Sequence, residues 1–158
     1  MVTLHSTWHI ILAHSAVALP LWASLLVIIG LIAKISDKED FAVKLTYPIQ
    51  IFLLLAIITI VLAFTGAMID FPTASFAASP VFSAKISLVI AVFFIYMGLY
   101  YLVSLKKEKI WKENLSLCYA VLLSIGGGLC VSLLGGTGGH LAKGYTVMEP
   151  LLHALGIT

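Results

Sequence analysis

The sequence predicts an all-α protein, a bundle of four transmembrane helices. Of its 158 residues, 61% are apolar and only 10% are charged, and the mean hydropathy is +1.13. This composition departs strongly from that of soluble globular proteins. Four apolar stretches are each at least as long as the ~20 residues that a spanning helix needs. We expect one transmembrane domain, with helices over about 4–35, 41–69, 81–105 and 114–142 and a short outer segment over 147–157.

The lysines predict the orientation of the bundle. All nine basic residues are lysines, and seven of them flank the first and third connections between the predicted helices. Only Lys85 and Lys143 belong to the opposite side. The positive-inside rule therefore predicts a multi-pass protein of the inner (plasma) membrane with both termini outside. No lysine cluster is paired with an exposed aromatic platform, so nucleic-acid binding is set aside.

The first predicted helix carries three of the five histidines: His5, His9 and His14. An even number of spans brings them to the same side of the membrane as His140 and His153. In a helix, His5 and His9 project about 40° apart, the i, i+4 geometry that chelates divalent metals, whereas His9 and His14 project about 140° apart. His14 lies deeper in the span, and we expect it to be buried. We expect His5 and His153 at the outer rim.

The second predicted helix follows a short charged connection, which favours an antiparallel hairpin with the first. It ends near Asp70, before a segment rich in Ser, Ala and Pro that extends to Pro80. We interpret this segment as a lid over the histidines. The third helix, with Tyr96 and two further tyrosines, is interpreted as structural.

The fourth predicted helix differs from the others because eight of the twelve glycines fall between Gly126 and Gly144. Small residues and one histidine recur there at every fourth position: Ser124, Gly128, Ser132, Gly136 and His140. One interpretation is packing between helices through small residues. The other is that a flat cofactor lies against Gly136 and Gly139, with His140 at its outer end. Cys118 and Cys130 are twelve residues apart on this helix, too far for a disulfide, and we expect both to be buried.

The histidines suggest b-type haem. Ionisable or metal-ligating groups inside a span are costly and point to function, imidazole is a common axial ligand of haem iron, and bundles build cofactor sites from facing helices. We predict ligation by His140 and one histidine of the first helix, His14 or His9. Lys85 and Lys143 would meet the propionates.

Two alternatives stay open. One is a copper or zinc site formed by His5 and His9 with His140 or His153. The other is a cofactor-free structural or accessory subunit of a larger membrane complex, with homo- or hetero-oligomeric contacts through the fourth helix.

Three short segments carry a family resemblance. They are the spacing His9-Ile-Ile-Leu-Ala-His14, the run Leu62-Ala-Phe-Thr-Gly-Ala-Met-Ile-Asp-Phe71, and the pair Gly138-Gly139 followed by Leu141 and Gly144. With these segments the chain resembles the small four-span bacterial membrane proteins of the domain-of-unknown-function 2231 family. The resemblance implies four spans and a histidine-bearing first helix, but no activity.

The chain also departs from that family's pattern. Ile10 and Ala16 stand where the family has prolines, and Ser15 stands where it has phenylalanine. A histidine that is frequent near the start of the family's third helix is replaced here by Phe82, Ser83 or Lys85, so a ligand role of that residue is lost.

Electron transfer is the predicted function, between a quinone or membrane complex and an external redox partner. Hydrolase chemistry is poorly supported, because the sequence pairs no serine or cysteine nucleophile with a histidine and an acid. We therefore expect an electron-transfer or accessory protein more than a stand-alone enzyme.

Overall fold

Four long helices account for most of the chain. The computed structural model describes the backbone of residues 4–70, 80–143 and 149–156, and the side chains of 11–68, 81–137 and 150–156. The elements are α1 (Leu4–Ile35), α2 (Glu39–Asp70), α3 (Pro80–Lys106), a 3-10 helix (Lys107–Trp111), α4 (Asn114–Lys143) and α5 (Glu149–Ala154). Predicted and observed ends of the long helices differ by at most two residues. The described residues contain no strand, and the predicted all-α four-helix bundle is confirmed.

The four long helices contain segments that are long and apolar enough to cross a membrane: Ile11–Ile35, Glu39–Met68, Val81–Trp111 and Asn114–Thr137. Large apolar side chains face outward along them, among them Trp22, Leu54 and Phe94. In water such a surface would be a liability, whereas in a bilayer it is solvated by lipid. The chain is a multi-pass membrane protein.

Each long helix buries one narrow stripe of residues spaced three and four apart. On α4 the stripe consists of Ala120, Ser124, Gly127, Val131 and Leu134. This alternation gives the period of 3.5 residues that keeps one seam facing its neighbours in left-handed helix packing. The core is therefore a central seam shared by the four helices, with lipid-facing side chains around it.

A hydrogen bond between side chains joins α1 to α3 inside the bundle. The hydroxyl oxygens of Ser24 and Tyr96 are 2.8 Å apart, and both residues are buried. The Tyr96 ring packs on Gly127 of α4, where an added Cβ would lie 2.9 Å from the ring. Tyr96 thereby fixes the relative position of three helices.

One end of the bundle, which we call the lysine-rich end, comprises residues 34–44 and 106–114. Here the 3-10 helix turns the chain from α3 into α4 and places Trp111 in the interior, 1% exposed. The indole ring lies directly on Gly30 of α1, where an added Cβ would overlap ring atoms. Its Nε1–H donates a hydrogen bond of 2.8 Å to Thr46 Oγ1 on α2. A residue of the third connection thus ties α1 and α2 together.

Polar bonds at the surface complete this end. Lys34 Nζ donates to Asn114 Oδ1 at 3.1 Å, which joins the end of α1 to the start of α4. Glu113 Oε2 accepts from Lys106 Nζ at 2.6 Å and from Ser116 Oγ at 2.8 Å. These bonds confirm that the first and third connections lie at the same end of the bundle.

A tight turn links α1 to α2. Asp37 has φ = 57°, and the backbone N–H groups of Asp37 and Lys38 donate to the carbonyls of Lys34 and Ala33. This pairing is a Schellman motif, in which a left-handed residue closes the helix. The predicted antiparallel hairpin of the first two helices is confirmed.

Candidate functional site

The opposite end, which we call the histidine-bearing end, is where α1 begins and α4 ends. Between the middle of the bundle and this end, α1 and α4 are in contact. A Cβ added at Gly135 would lie 3.9 Å from Val17 Cγ1, and one added at Gly128 would lie 3.9 Å from Leu21 Cδ2. Since the residue numbers rise on α4 as they fall on α1, the two helices are antiparallel. The start of α1 and the end of α4 therefore lie at the same end of the bundle.

The glycines of α4 contribute to packing in the part of the stripe that the structure describes. Tyr96 lies on Gly127, Leu21 faces Gly128 and Val17 faces Gly135. At Gly127 the ring is too close for an added Cβ, whereas at Gly128 and Gly135 an added Cβ would make ordinary contact. Small residues allow close approach within a membrane, so the contact at Gly127 favours the packing interpretation at that level.

The stripe of every fourth residue on α4 does not stay on one buried face. Ser124 is buried, but Ser132 is exposed, and its hydroxyl donates to the Gly128 carbonyl at 2.9 Å. A spacing of four drifts by about 40° per step in a helix, so it departs from the buried seam. Gly136 is buried again, together with Thr137, and the short helix α5, which contacts α4, buries Leu152.

His14 is exposed on the surface of the bundle. The expectation that it is buried is wrong for this chain. On α1 the buried residues near it are Ala16, Pro20 and Ala23, and position 14 lies about 160° from Ala16 around the helix. The sequence showed that His14 is inside a span, but not which way it points.

The structure describes the side chains of only some of the remaining predicted site residues. Lys85 is partly buried in the second turn of α3, and His153 is exposed on α5. His5 and His9 belong to α1, and Gly139, His140 and Lys143 belong to α4, but their side chains lie outside the described residues, as does the predicted lid, residues 71–79. Among the described side chains, no three of His, Cys, Asp or Glu form a group that could hold a metal ion.

Cys118 corrects another expectation. It is exposed on the lipid-facing side of α4, while Cys130 is partly buried, and neither is in a disulfide. Sequence reasoning also missed Trp111. A buried indole needs an apolar contact and a hydrogen-bond acceptor, but no local pattern indicates that Gly30 and Thr46 supply them.

Comparison with protein-family models, with curated proteins and with solved structures found no match to this chain. The resemblance to the domain-of-unknown-function 2231 family therefore stays a prediction.

Proposed function

We propose that the protein binds b-type haem at the histidine-bearing end and transfers electrons there. The observation that supports this most is the direct antiparallel contact of α1 with α4 at Val17 and Gly135. This contact means that the two histidine-carrying helix ends lie at the same end of the bundle, and facing helices supply the ligands in bundle cofactor sites.

The helical rise supports a common level for the ligands. At 1.5 Å per residue, position 140 lies about 7.5 Å beyond Gly135, and positions 14 and 9 lie about 4.5 Å and about 12 Å beyond Val17. All three lie on the same side of the contact, within about 8 Å of one another along the bundle axis.

Helical register favours His9 over His14 as the partner of His140. Position 9 precedes buried Ala16 by seven residues and buried Ala23 by fourteen. A separation of seven returns a position to the same seam in this packing. We therefore propose that His9 and His140 would hold the haem iron, with His14 as a residue of the rim.

The fit of haem to the bundle depends on where the ring lies. Val17 lies next to Gly135 between α1 and α4, so we propose that the ring would lie beyond that level, next to Gly136 and Gly139. Haem supplies one-electron chemistry when it is bound. Histidine imidazoles of this chain would hold the iron, and Lys85 and Lys143 are the cations that we assign to the propionates.

The topology adds to the proposal. With seven lysines at the opposite end, the positive-inside rule supports a haem site near the outer face of the inner membrane, with both termini outside. Its partners would be a quinone or another redox subunit within the membrane and an acceptor outside. Contacts with further copies or other subunits through α4 would use its lipid-facing side, because Gly127 packs within the chain.

An absorption spectrum tests this function. Protein purified in detergent from haem-replete cells should show a Soret band, with sharp α and β bands after dithionite. His9→Ala and His140→Ala should abolish these bands. The matched control is His153→Ala, an exposed histidine of the same end, which should keep them. A colourless preparation, or full haem content in both ligand variants, would refute haem binding.

A copper or zinc centre is the second candidate, and the close approach of α1 to α4 favours it. A single ion needs less separation between helices than a planar macrocycle, and His5 and His9 have the i, i+4 spacing of a chelating pair. Elemental analysis of the purified protein separates the two. Stoichiometric copper or zinc that His5→Ala and His140→Ala each remove would support the ion, and neither metal nor haem would leave a cofactor-free accessory subunit.

A further inference from the structure

A groove opens on the side of the lysine-rich end, between the last turns of α1 and the first turns of α2. Its volume is about 600 Å³. One wall comes from α1, where Ile29, Ile32, Ala33 and Ser36 share a face through their spacing of three and four. The other wall comes from the turn and the start of α2. The groove is separate from the histidine-bearing end, at the far side of the membrane.

The lining of the groove is divided between its two walls. On α1, Ile29 and Ile32 lie in the membrane-spanning segment, and Ile32 is 57% exposed. Lys38 lies between the two spans. Lys44 lies in the second turn of α2, about one turn deeper than Phe41, with a side chain long enough to reach the interface. The groove therefore has an apolar half on α1 and a cationic half on the turn and the start of α2.

The charge of the polar half defines its ligand. Lys38 and Lys44 carry two positive charges and Asp40 carries one negative charge, so the lining has a net charge of +1. A phospholipid with one net negative charge neutralises it, whereas a zwitterionic lipid does not. The Ser36 side chain, also in the lining, adds a hydroxyl donor for a phosphate oxygen.

The turn gives these groups a fixed frame. The Schellman motif closes α1 with the Lys38 N–H bonded to the Ala33 carbonyl at 2.8 Å, and α2 begins directly after it. The backbone that carries Lys38 is thus hydrogen-bonded to the same helix that supplies the apolar wall. The distance between the apolar half and the cationic half of the groove is therefore set by the fold and not by a flexible loop.

We propose that this groove binds one anionic phospholipid, with the phosphodiester at Lys38 and Lys44 and an acyl chain along Ile29 and Ile32. Attraction of basic residues to anionic lipid at a membrane surface is a general effect. The groove adds a single binding site, because it combines the two lysines with the apolar wall of α1.

Native mass spectrometry of the full chain in detergent tests the proposal. Titration with phosphatidylglycerol should give one adduct that survives activation, and phosphatidylcholine with the same acyl chains should bind more weakly. Lys38→Gln and Lys44→Gln should each lower the affinity for phosphatidylglycerol about fivefold. The matched controls are Lys107→Gln and Lys112→Gln, exposed lysines of the same end outside the groove, which should change it little.

Two further arms keep the test decisive. Asp40→Asn removes the only acid of the lining and should raise the affinity for phosphatidylglycerol, a gain that damage to the fold would not produce. Inorganic phosphate at millimolar concentration should not displace the lipid. Equal binding of the two lipids, equal effects of groove and control lysines, or displacement by phosphate would each overturn the proposal.

Discussion

The lysine-rich end and the α1–α4 interface near the histidine-bearing end are stabilised by different interactions. At the lysine-rich end, Trp111 fills the space above Gly30 and donates a hydrogen bond to Thr46. At the α1–α4 interface, Val17 and Leu21 face glycines of α4 at which an added Cβ would make ordinary van der Waals contact. One region is fixed by a large directional side chain, the other by the close approach of two helices.

This difference suggests a division of roles. Because Trp111 fixes the helices at the lysine-rich end, the side chains at the other end can vary without loss of helix alignment. The proposed chemistry lies at that other end, where the histidines are. Substitutions in the two regions should therefore differ in their effect on stability.

The largest loss of stability is expected for Trp111→Ala. Removal of a buried indole leaves a cavity and an unpaired Thr46 hydroxyl, and such changes cost about 3–5 kcal/mol. Val17→Ala at the α1–α4 interface removes two partly buried methyl groups and should cost only about 1 kcal/mol. Titration with a denaturing detergent, followed by circular dichroism, measures both. Equal losses of stability would contradict the conclusion that Trp111 fixes the helices at the lysine-rich end.

A second test adds a methyl group next to Trp111 instead of removing the indole ring. In Gly30→Ala the new Cβ would overlap Trp111, and overpacking of this kind costs about 1–3 kcal/mol. The matched control is Gly126→Ala on α4, whose Cβ would meet nothing within 4 Å. That variant should be neutral or gain up to about 1 kcal/mol, because Ala favours helix over Gly. If Gly30→Ala were as stable as the control, Trp111 would not be held against α1.

A smaller effect is expected for the hydrogen bond between Ser24 and Tyr96. A double-mutant cycle with Ser24→Ala and Tyr96→Phe isolates it, since each variant removes one hydroxyl and keeps the packing of the ring on Gly127. Bonds of this kind between membrane helices contribute about 0.6 kcal/mol and at most about 1.7 kcal/mol. A coupling energy of zero would mean that the position of Tyr96 depends on packing alone.

The fold could be predicted closely from the sequence because spanning helices are defined by length and hydrophobicity, which are local properties. The charged turn at 36–40 and the lysines after Leu105 indicated where helices end. The burial of Trp111 could not be predicted, because it depends on a glycine 81 positions earlier in the chain. The 3-10 helix that turns the indole inward has no strong local signature.

The candidate site was less predictable for a related reason. Nearly every residue of a spanning helix is apolar, so the pattern gives little information on which face is buried. The spacing of four from Ser124 to His140 suggested one face, while the packed seam follows a spacing of 3.5 and leaves Ser132 exposed. The same ambiguity hid the outward direction of His14.

The smallest effect in this series concerns pH at the lysine-rich end. Hydrogen bonds from Lys106 and then Ser116, with the charge of Lys106, hold the pKa of Glu113 below its ordinary value of 4.5. A lowered pKa in the folded state means that the bridge adds stability above about pH 4.5, and that this contribution is lost as the pH falls through the lowered pKa. Both side chains are partly exposed, at 38% for Lys106 and 42% for Glu113, so the effect should be modest and weakened by salt.

Glu113→Gln tests the contribution of this salt bridge to stability apart from that of the other acids at the same end. The amide oxygen still accepts from Ser116 but lacks the charge that attracts Lys106. Unfolding midpoints of the wild type and the variant should differ at pH 7 and converge as the pH falls well below 4.5, and 0.5 M salt should narrow the difference at pH 7. Glu108→Gln, an exposed acid of the 3-10 helix, is the control. A difference between the wild type and Glu113→Gln that persisted unchanged at low pH would show that the substitution acts through packing and not through the charge of Glu113.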